Sequence, residues 1–184
     1  MRVQLKLILD CEPDDAWRAL RSPTVLQELY GPLLTLAPDS PMPTLWEPGA
    51  MQVTMKGVGV VSVGRQLLDL DFDLKRMPGV RILVDNGRPL SGPLALLDSW
   101  HHRMAVAPAP GQPGKTLYRD RLDITGPAAV ALWMPLWTMW QWRGLRLTQM
   151  APHWAFEPVQ PDAPADAEAG PETGPKAGPK AGKE

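Results

Sequence analysis

The chain has 184 residues, 44% of them hydrophobic, and a formal net charge of −1 at pH 7, which fits one globular domain with or without a tail. No segment is strongly basic, so nucleic acid is not an expected partner, and the single cysteine, Cys11, excludes an intramolecular disulfide and a zinc cluster. No stretch reaches the roughly 18 uncharged apolar residues of a membrane-spanning helix; the nearest, 128–139, is broken by Pro135 and soon meets Arg143.

The N-terminus is apolar only to Leu9 and then meets Asp10 and Glu12, so it does not read as a secretory signal, and a cytoplasmic location is expected. Val3, Leu5, Leu7 and Leu9 alternate with Gln4 and Lys6 as in a strand. Pro13, with Asp14 and Asp15 in the first turn, opens a short helix, where acids favour the positive helix end. Ser22-Pro23 opens a second, with Ser22 as N-cap, and Gly31-Pro32 closes it. The proline-rich residues 37–49, with the isolated Trp46, read as a loop leading into a sheet. Met51, Val53 and Met55 then alternate, a break follows at 57–59, and a longer strand is expected from Val60 to Leu74. A short strand over 80–85 is closed by Asn86-Gly87, a hairpin signal.

Residues 97–124 are the most informative stretch. Side chains alternate faces along a strand, so Trp100, His102, Met104 and Val106 share one face and Ser99, His101, Arg103 and Ala105 the other. On the next strand Thr116, Tyr118, Asp120, Leu122 and Ile124 share a face opposite the charged Arg119, Arg121 and Asp123. The turn residues 107–115 join the two as a hairpin. Folding about Gly111 sets Met104 opposite Tyr118 and His102 opposite Asp120, at roughly 4.5–5.5 Å between Cβ atoms. A slip of two residues keeps the faces and changes the partners. Polar groups on an apolar inner wall need partners there or in a ligand, and this argues for a pocket.

From Gly126-Pro127 to about Trp154 the pattern is helical. Trp133, Leu136, Trp137, Trp140, Gly144, Leu147 and Ala151 fall on one face, with Thr138, Trp142, Arg146 and Gln149 opposite. A bend is expected where Pro135 lacks its hydrogen bond. Residues 155–184 are rich in proline, glycine and alanine and too poor in apolar residues to order themselves; they read as a disordered tail behind a domain spanning 1–154. The expected architecture is α+β: a curved antiparallel sheet of about six or seven strands wrapped around the long C-terminal helix, with two short helices after the first strand.

This order, together with Trp46…Gly49, Val63-Gly64-Arg65-Gln66, Gly92-Pro93-Leu94, Trp100-His101-His102 and Tyr118-Arg119-Asp120, resembles the START/Bet v 1-like (SRPBCC) superfamily in its bacterial ligand-binding type. The resemblance spans about residues 1–154. It implies a helix-grip fold with a hydrophobic cavity between sheet and C-terminal helix, in a superfamily that includes lipid carriers and polyketide cyclases. The last helix departs from it in its many tryptophans, and no cyclase-type set of acids and bases is assembled.

The expected function is binding of a small hydrophobic or aromatic molecule, lipid- or polyketide-like, with no cofactor. Trp100, Met104, Leu122, Trp133, Trp137 and Trp140 would supply apolar burial, Gly144 would leave room beside them, and His102, Tyr118 and Asp120 would orient the ligand. His102 and Asp120 also admit reading as a general base and its orienting acid in a cyclase- or hydrolase-type enzyme, or as a buried pair that holds register. The tryptophan stripe likewise admits pocket lining, plain core or an interaction surface for a protein or membrane partner. Asp69, Asp71 and Asp73 alternate along one strand without converging, so no metal site is expected there. The sequence leaves the oligomeric state open.

Overall fold

The computed structural model describes residues 1–39, 41–57, 61–75 and 77–155; the expected tail beyond residue 155 and part of the 57–59 break lie outside the described residues. The alternating N-terminal segment forms β1 (Arg2–Leu9). Pro13 sits at the start of α1 (Pro13–Leu20). In α2 (Pro23–Tyr30) the Ser22 hydroxyl accepts the Val25 N–H, the cap expected of that residue.

One segment differs from expectation at once. Leu34–Pro38 is a strand, β2, paired antiparallel with β3 (Gly49–Gly57), because Leu34 and Leu36 alternate with Thr35. The proline-rich stretch after it is a loop, tied down where the Trp46 N–H donates to the Arg21 carbonyl at 2.7 Å. Trp46 is buried. β4 (Val61–Asp73) carries Gly64, Gln66, Leu68 and Leu70 on alternate positions, and β5 (Arg81–Asp85) lies against it.

Asn86-Gly87 does not make the expected hairpin. Leu70 faces Asp85 and Leu67 faces Arg88, so the chain runs on beside β4 into the two-residue β6 (Arg88–Pro89) without reversing. The Asp85 carboxylate is the reason. Its Oδ1 accepts the Asp69 N–H at 3.0 Å and the Gly87 N–H at 2.9 Å, bridging the interruption from the side. A Cβ at Gly87 would lie 1.9 Å from the Leu67 carbonyl oxygen, so only glycine fits this approach. Gly64 and Gly92 make a similar crossing: a Cβ on Gly92 would meet the Val63 carbonyl oxygen at 2.1 Å, and one on Gly64 the Ser91 carbonyl oxygen at 2.3 Å.

β7 (Ser99–Pro108) and β8 (Thr116–Thr125) form the expected hairpin with a register two residues away from the expected one. Met104 pairs with Asp120, His102 with Leu122 and Val106 with Tyr118. The Ala109 N–H donates to the Lys115 carbonyl, and this loop closure sets the offset. The inner and outer faces remain as the alternation gives them.

The strands form one antiparallel sheet in the order β1-β8-β7-β5-β4-β3-β2, with β6 beside β4. It curves around α3 (Ala129–Met150), a helix-grip α+β fold. α3 buries Leu136, Trp140, Arg143, Gly144, Leu147 and Met150, a stripe at helical spacing. It comes closest to the sheet at β1, where a Cβ on Gly144 would touch the Leu5 methyls at 3.4 and 3.5 Å. No helix among the described residues is long and apolar enough to cross a membrane. One buried cluster joins Trp17, Leu83, Met104, Tyr118, Leu147 and Trp154 beneath α1 and α2. A second joins Val3, Leu122, Ile124, Leu136 and Trp140, and a third Leu36, Val53 and Met55. The space between the clusters is not filled.

Candidate functional site

A cavity of about 350 Å³ lies between the inner face of the sheet, α2 and α3. This is within the range of small-molecule sites, roughly 300–1,000 Å³. Its wall is overwhelmingly aliphatic and aromatic, with Leu36, Val53, Met55, Leu68, Leu83 and Met139 among the lining residues. Val63, Pro93 and Pro135 both line it and are exposed, and so mark where it meets solvent. Pro135 is seated there inside α3.

Five polar side chains reach this wall: Tyr30, Gln66, Asp85, His102 and Arg143. They divide into two groups. Behind the wall, Asp120 is 1% exposed and accepts four hydrogen bonds. Oδ1 takes His102 Nε2–H at 2.7 Å and Trp140 Nε1–H at 3.0 Å. Oδ2 takes the Tyr118 hydroxyl at 2.7 Å and Arg143 Nε–H at 2.8 Å. The Arg143 guanidinium, equally buried, spends its remaining bonds on the hydroxyls of Tyr30 at 2.9 Å and Tyr118 at 3.1 Å and on the Met104 sulfur at 3.0 Å.

Burial alone would raise the Asp120 pKa, but the charge of His102 when it is protonated, the charge of Arg143 and the hydrogen bonds from His102 and Tyr118 outweigh it and hold the group well below the usual carboxylate range. Burial would lower the Arg143 pKa; Tyr118, Tyr30 and Asp120 reverse that and push it up. The Tyr118 phenol goes well up, through burial first. The result is a buried ion pair in which both Asp120 oxygens and four of the five guanidinium N–H groups are bonded. Because an ionised carboxylate only accepts, His102 must donate through Nε2, and its Nδ1 has no partner among the described residues.

The second group faces the cavity with bonding capacity to spare. Asp85 is 4% exposed; Oδ1 is occupied by the two backbone N–H groups, while Oδ2 takes only the Trp100 indole N–H at 3.3 Å. No cation pairs with Asp85 among the described residues. Gln66 is 5% exposed, and its carboxamide has no hydrogen-bond partner among the described residues. Trp100, His102 and Trp140 meet edge to face, with centroids 5.2–6.4 Å apart.

Of the residues expected at a site, Trp100, His102, Met104 and Trp140 are on the cavity wall. Tyr118 and Asp120 stand behind it, because the His102, Trp140 and Arg143 side chains cover them. Leu122 is fully buried with Val3 and Ile124. Trp133 and Trp137 are off the wall: Trp133 donates its indole N–H to the Arg2 carbonyl and stacks on Trp137, which is 42% exposed. Gly144 opens no room for a ligand, since it serves the close contact of α3 with β1. Cys11 is half-buried, and burial pushes its thiol up to about 11, away from nucleophilic chemistry. His101 points outward to the Asn86 side chain. No group of three or more potential metal ligands exists among the described residues.

Tyr30, Gln66, Asp85 and Arg143 were not among the expected residues, although the last three each had a signal. Arg143 lies on the stripe Leu136, Trp140, Leu147; Gln66 alternates with Leu68 and Leu70; Asp85 follows the buried Leu83 by two.

No protein-family model matches the chain, and no curated protein does. Solved structures do. A hypothetical protein from Helicobacter pylori aligns over 82% of this chain and 88% of its own at 14% identity, TM-score 0.59. A protein from Chromobacterium violaceum aligns over 82% and 97% at 15% identity, TM-score 0.56. Norcoclaurine synthase from Thalictrum flavum, in complex with dopamine and hydroxybenzaldehyde, aligns over 85% and 89% at 12% identity, TM-score 0.58. The chain shares its helix-grip fold with these structures, as the START/Bet v 1-like resemblance of the sequence implies. At these identities the likeness is one of fold.

Proposed function

We propose that this protein binds a small hydrophobic or aromatic molecule in the cavity between the sheet and α3. The observation that carries the reading is a largely apolar space of about 350 Å³ at the place where a well-packed domain of this fold would put core. Unfilled volume lined by apolar side chains is costly to keep, and a ligand that occupies it restores the lost contacts. The norcoclaurine synthase of the same fold, with two small aromatic molecules bound, supports the reading. Native mass spectrometry of the purified protein is the test, alongside tryptophan fluorescence against a panel of hydrophobic aromatic molecules. The expected result is a co-purified mass released on denaturation, or a saturable quench from Trp100 and Trp140 that weakens in Leu68→Trp, which narrows the cavity. An unliganded protein with a flat response across the panel would overturn it.

A second reading is favoured by one specific contact. Asp120 accepts the His102 Nε2–H at 2.7 Å, His102 lines the cavity, and its Nδ1 has no partner among the described residues, features that fit an oriented general base. In an enzyme of cyclase or hydrolase type, His102→Phe would abolish turnover while the protein stays folded. Unchanged turnover in that variant would remove the reading.

A further inference from the structure

We infer that the ligand of this cavity is a hydrophobic amine, its protonated nitrogen seated between Asp85 Oδ2 and His102 Nδ1 with the rings of Trp100 and Trp140 beside it. This deepens the proposed function and rests on it.

Charge sets the sign of the ligand. Arg143 and Asp120 neutralise one another at 2.8 Å, and four of the five guanidinium N–H groups are spent on Asp120, Tyr30, Tyr118 and Met104. Asp85 is then the buried charge on the wall that the protein leaves without an opposite one among the described residues. A buried charge without a counter-ion is costly, so an incoming cation gains where an incoming anion loses.

Geometry sets the place. Asp85 and His102 are direct cross-strand partners on β5 and β7, which brings their side chains together on the inner face. The groups left over there are acceptors. Asp85 Oδ2 takes one weak bond, from the Trp100 indole, and His102 Nδ1 takes none once Nε2–H is committed to Asp120. A protonated primary amine brings three donors to this acceptor-rich corner. Trp100 and Trp140 add aromatic faces and edges around it, with ring centroids 6.4 Å apart, and a cation gains further over such rings. Gln66, farther along β4 and unpartnered, offers the rest of the ligand one polar anchor in an otherwise aliphatic wall.

Three probes that share a carbon skeleton decide the point: phenylbutylamine, phenylbutanol and phenylbutyrate, titrated into the full-length protein by isothermal calorimetry at neutral pH. The amine should bind about tenfold or more tighter than the alcohol, and the acid weakest, since a charge-assisted hydrogen bond in a desolvated site is worth at least that factor. Asp85→Asn, which keeps an oxygen for the Asp69 and Gly87 N–H groups, should bring the amine-to-alcohol ratio close to one. Equal binding of amine and alcohol by the unmodified protein, or an acid that outbinds the amine, would overturn the inference while the cavity still binds. Failure of all three to bind would overturn it together with the ligand-binding reading beneath it.

Discussion

Replacing Arg143 with methionine probes the buried pair that closes the inner wall. Methionine keeps much of the side-chain length and a good helix propensity, so α3 itself is not the target. What remains is Asp120, 1% exposed, with the donors of His102, Tyr118 and Trp140 but without the guanidinium at 2.8 Å. Removing one side of a buried ion pair costs roughly 3–5 kcal/mol. The three surviving donors place the loss at the lower end, about 3 kcal/mol. At about 2–4 °C per kcal/mol for a domain of this size, the melting temperature should fall by about 6–12 °C. Urea unfolding followed by tryptophan fluorescence and circular dichroism measures the loss, and the double variant with Asp120→Asn isolates its origin. With the carboxylate neutralised, the combined loss should fall short of the sum of the two single losses by at least about 1 kcal/mol. Additive losses, or an Arg143→Met protein within about 0.5 kcal/mol of the parent, would refute the account of a charge stranded in the interior.

Asp120 also sets an acid limit. Its pKa in the folded protein lies below its unfolded value of about 3.9, so the stabilisation it brings is complete above that value and disappears as pH falls towards the folded one. Urea midpoints between about pH 3 and pH 6 should therefore drop on the acid side, and less steeply in Asp120→Asn; a steeper drop in the variant would contradict this. Among the tryptophans, Trp140→Ala should cost roughly 3–5 kcal/mol and Trp137→Ala under about 1 kcal/mol, because one ring is 2% exposed and bonded to Asp120 while the other is 42% exposed; equal losses by calorimetry would place Trp137 in the core. Gly144→Ala should be neutral or stabilising by up to about 1 kcal/mol, since its methyl meets Leu5 at ordinary contact distance, whereas Gly144→Leu should lose about 1–3 kcal/mol by pushing α3 off β1. A leucine variant as stable as the parent would show that the contact is loose.

The fold was legible because it is written in local periodicity. Alternation placed each face of β7 and β8, and turn residues placed the hairpin; the two short helices announced themselves by Pro13, Ser22 and Pro23. Where reading failed, a non-local contact had overridden the local signal. Asn86-Gly87 has the chemistry of a two-residue hairpin, yet the Asp85 side chain takes the Asp69 N–H of β4 and the Gly87 N–H together and carries the chain straight on. The β7–β8 register slipped by two because loop composition fixes where a turn occurs more closely than how many residues it consumes.

The site was half legible for a related reason. A period of two or 3.6 says which side chains point inward, and it correctly set Trp100, His102, Met104 and Trp140 towards the interior. It cannot say which inward polar group another element will satisfy. Asp120 looked like the functional carboxylate because it shares a hairpin with His102. However, α3 delivers Arg143 and Trp140 to it, and with four donors it has nothing left for a ligand. Asp85, at the end of a short strand that reads as plain core, is the carboxylate that no other element reaches with a cation among the described residues. A sequence shows candidate polar groups, and the fold decides which of them is left in need of a partner. On that criterion the ligand contact proposed above falls at the Asp85–His102 corner, with Asp120–Arg143 as the brace behind it.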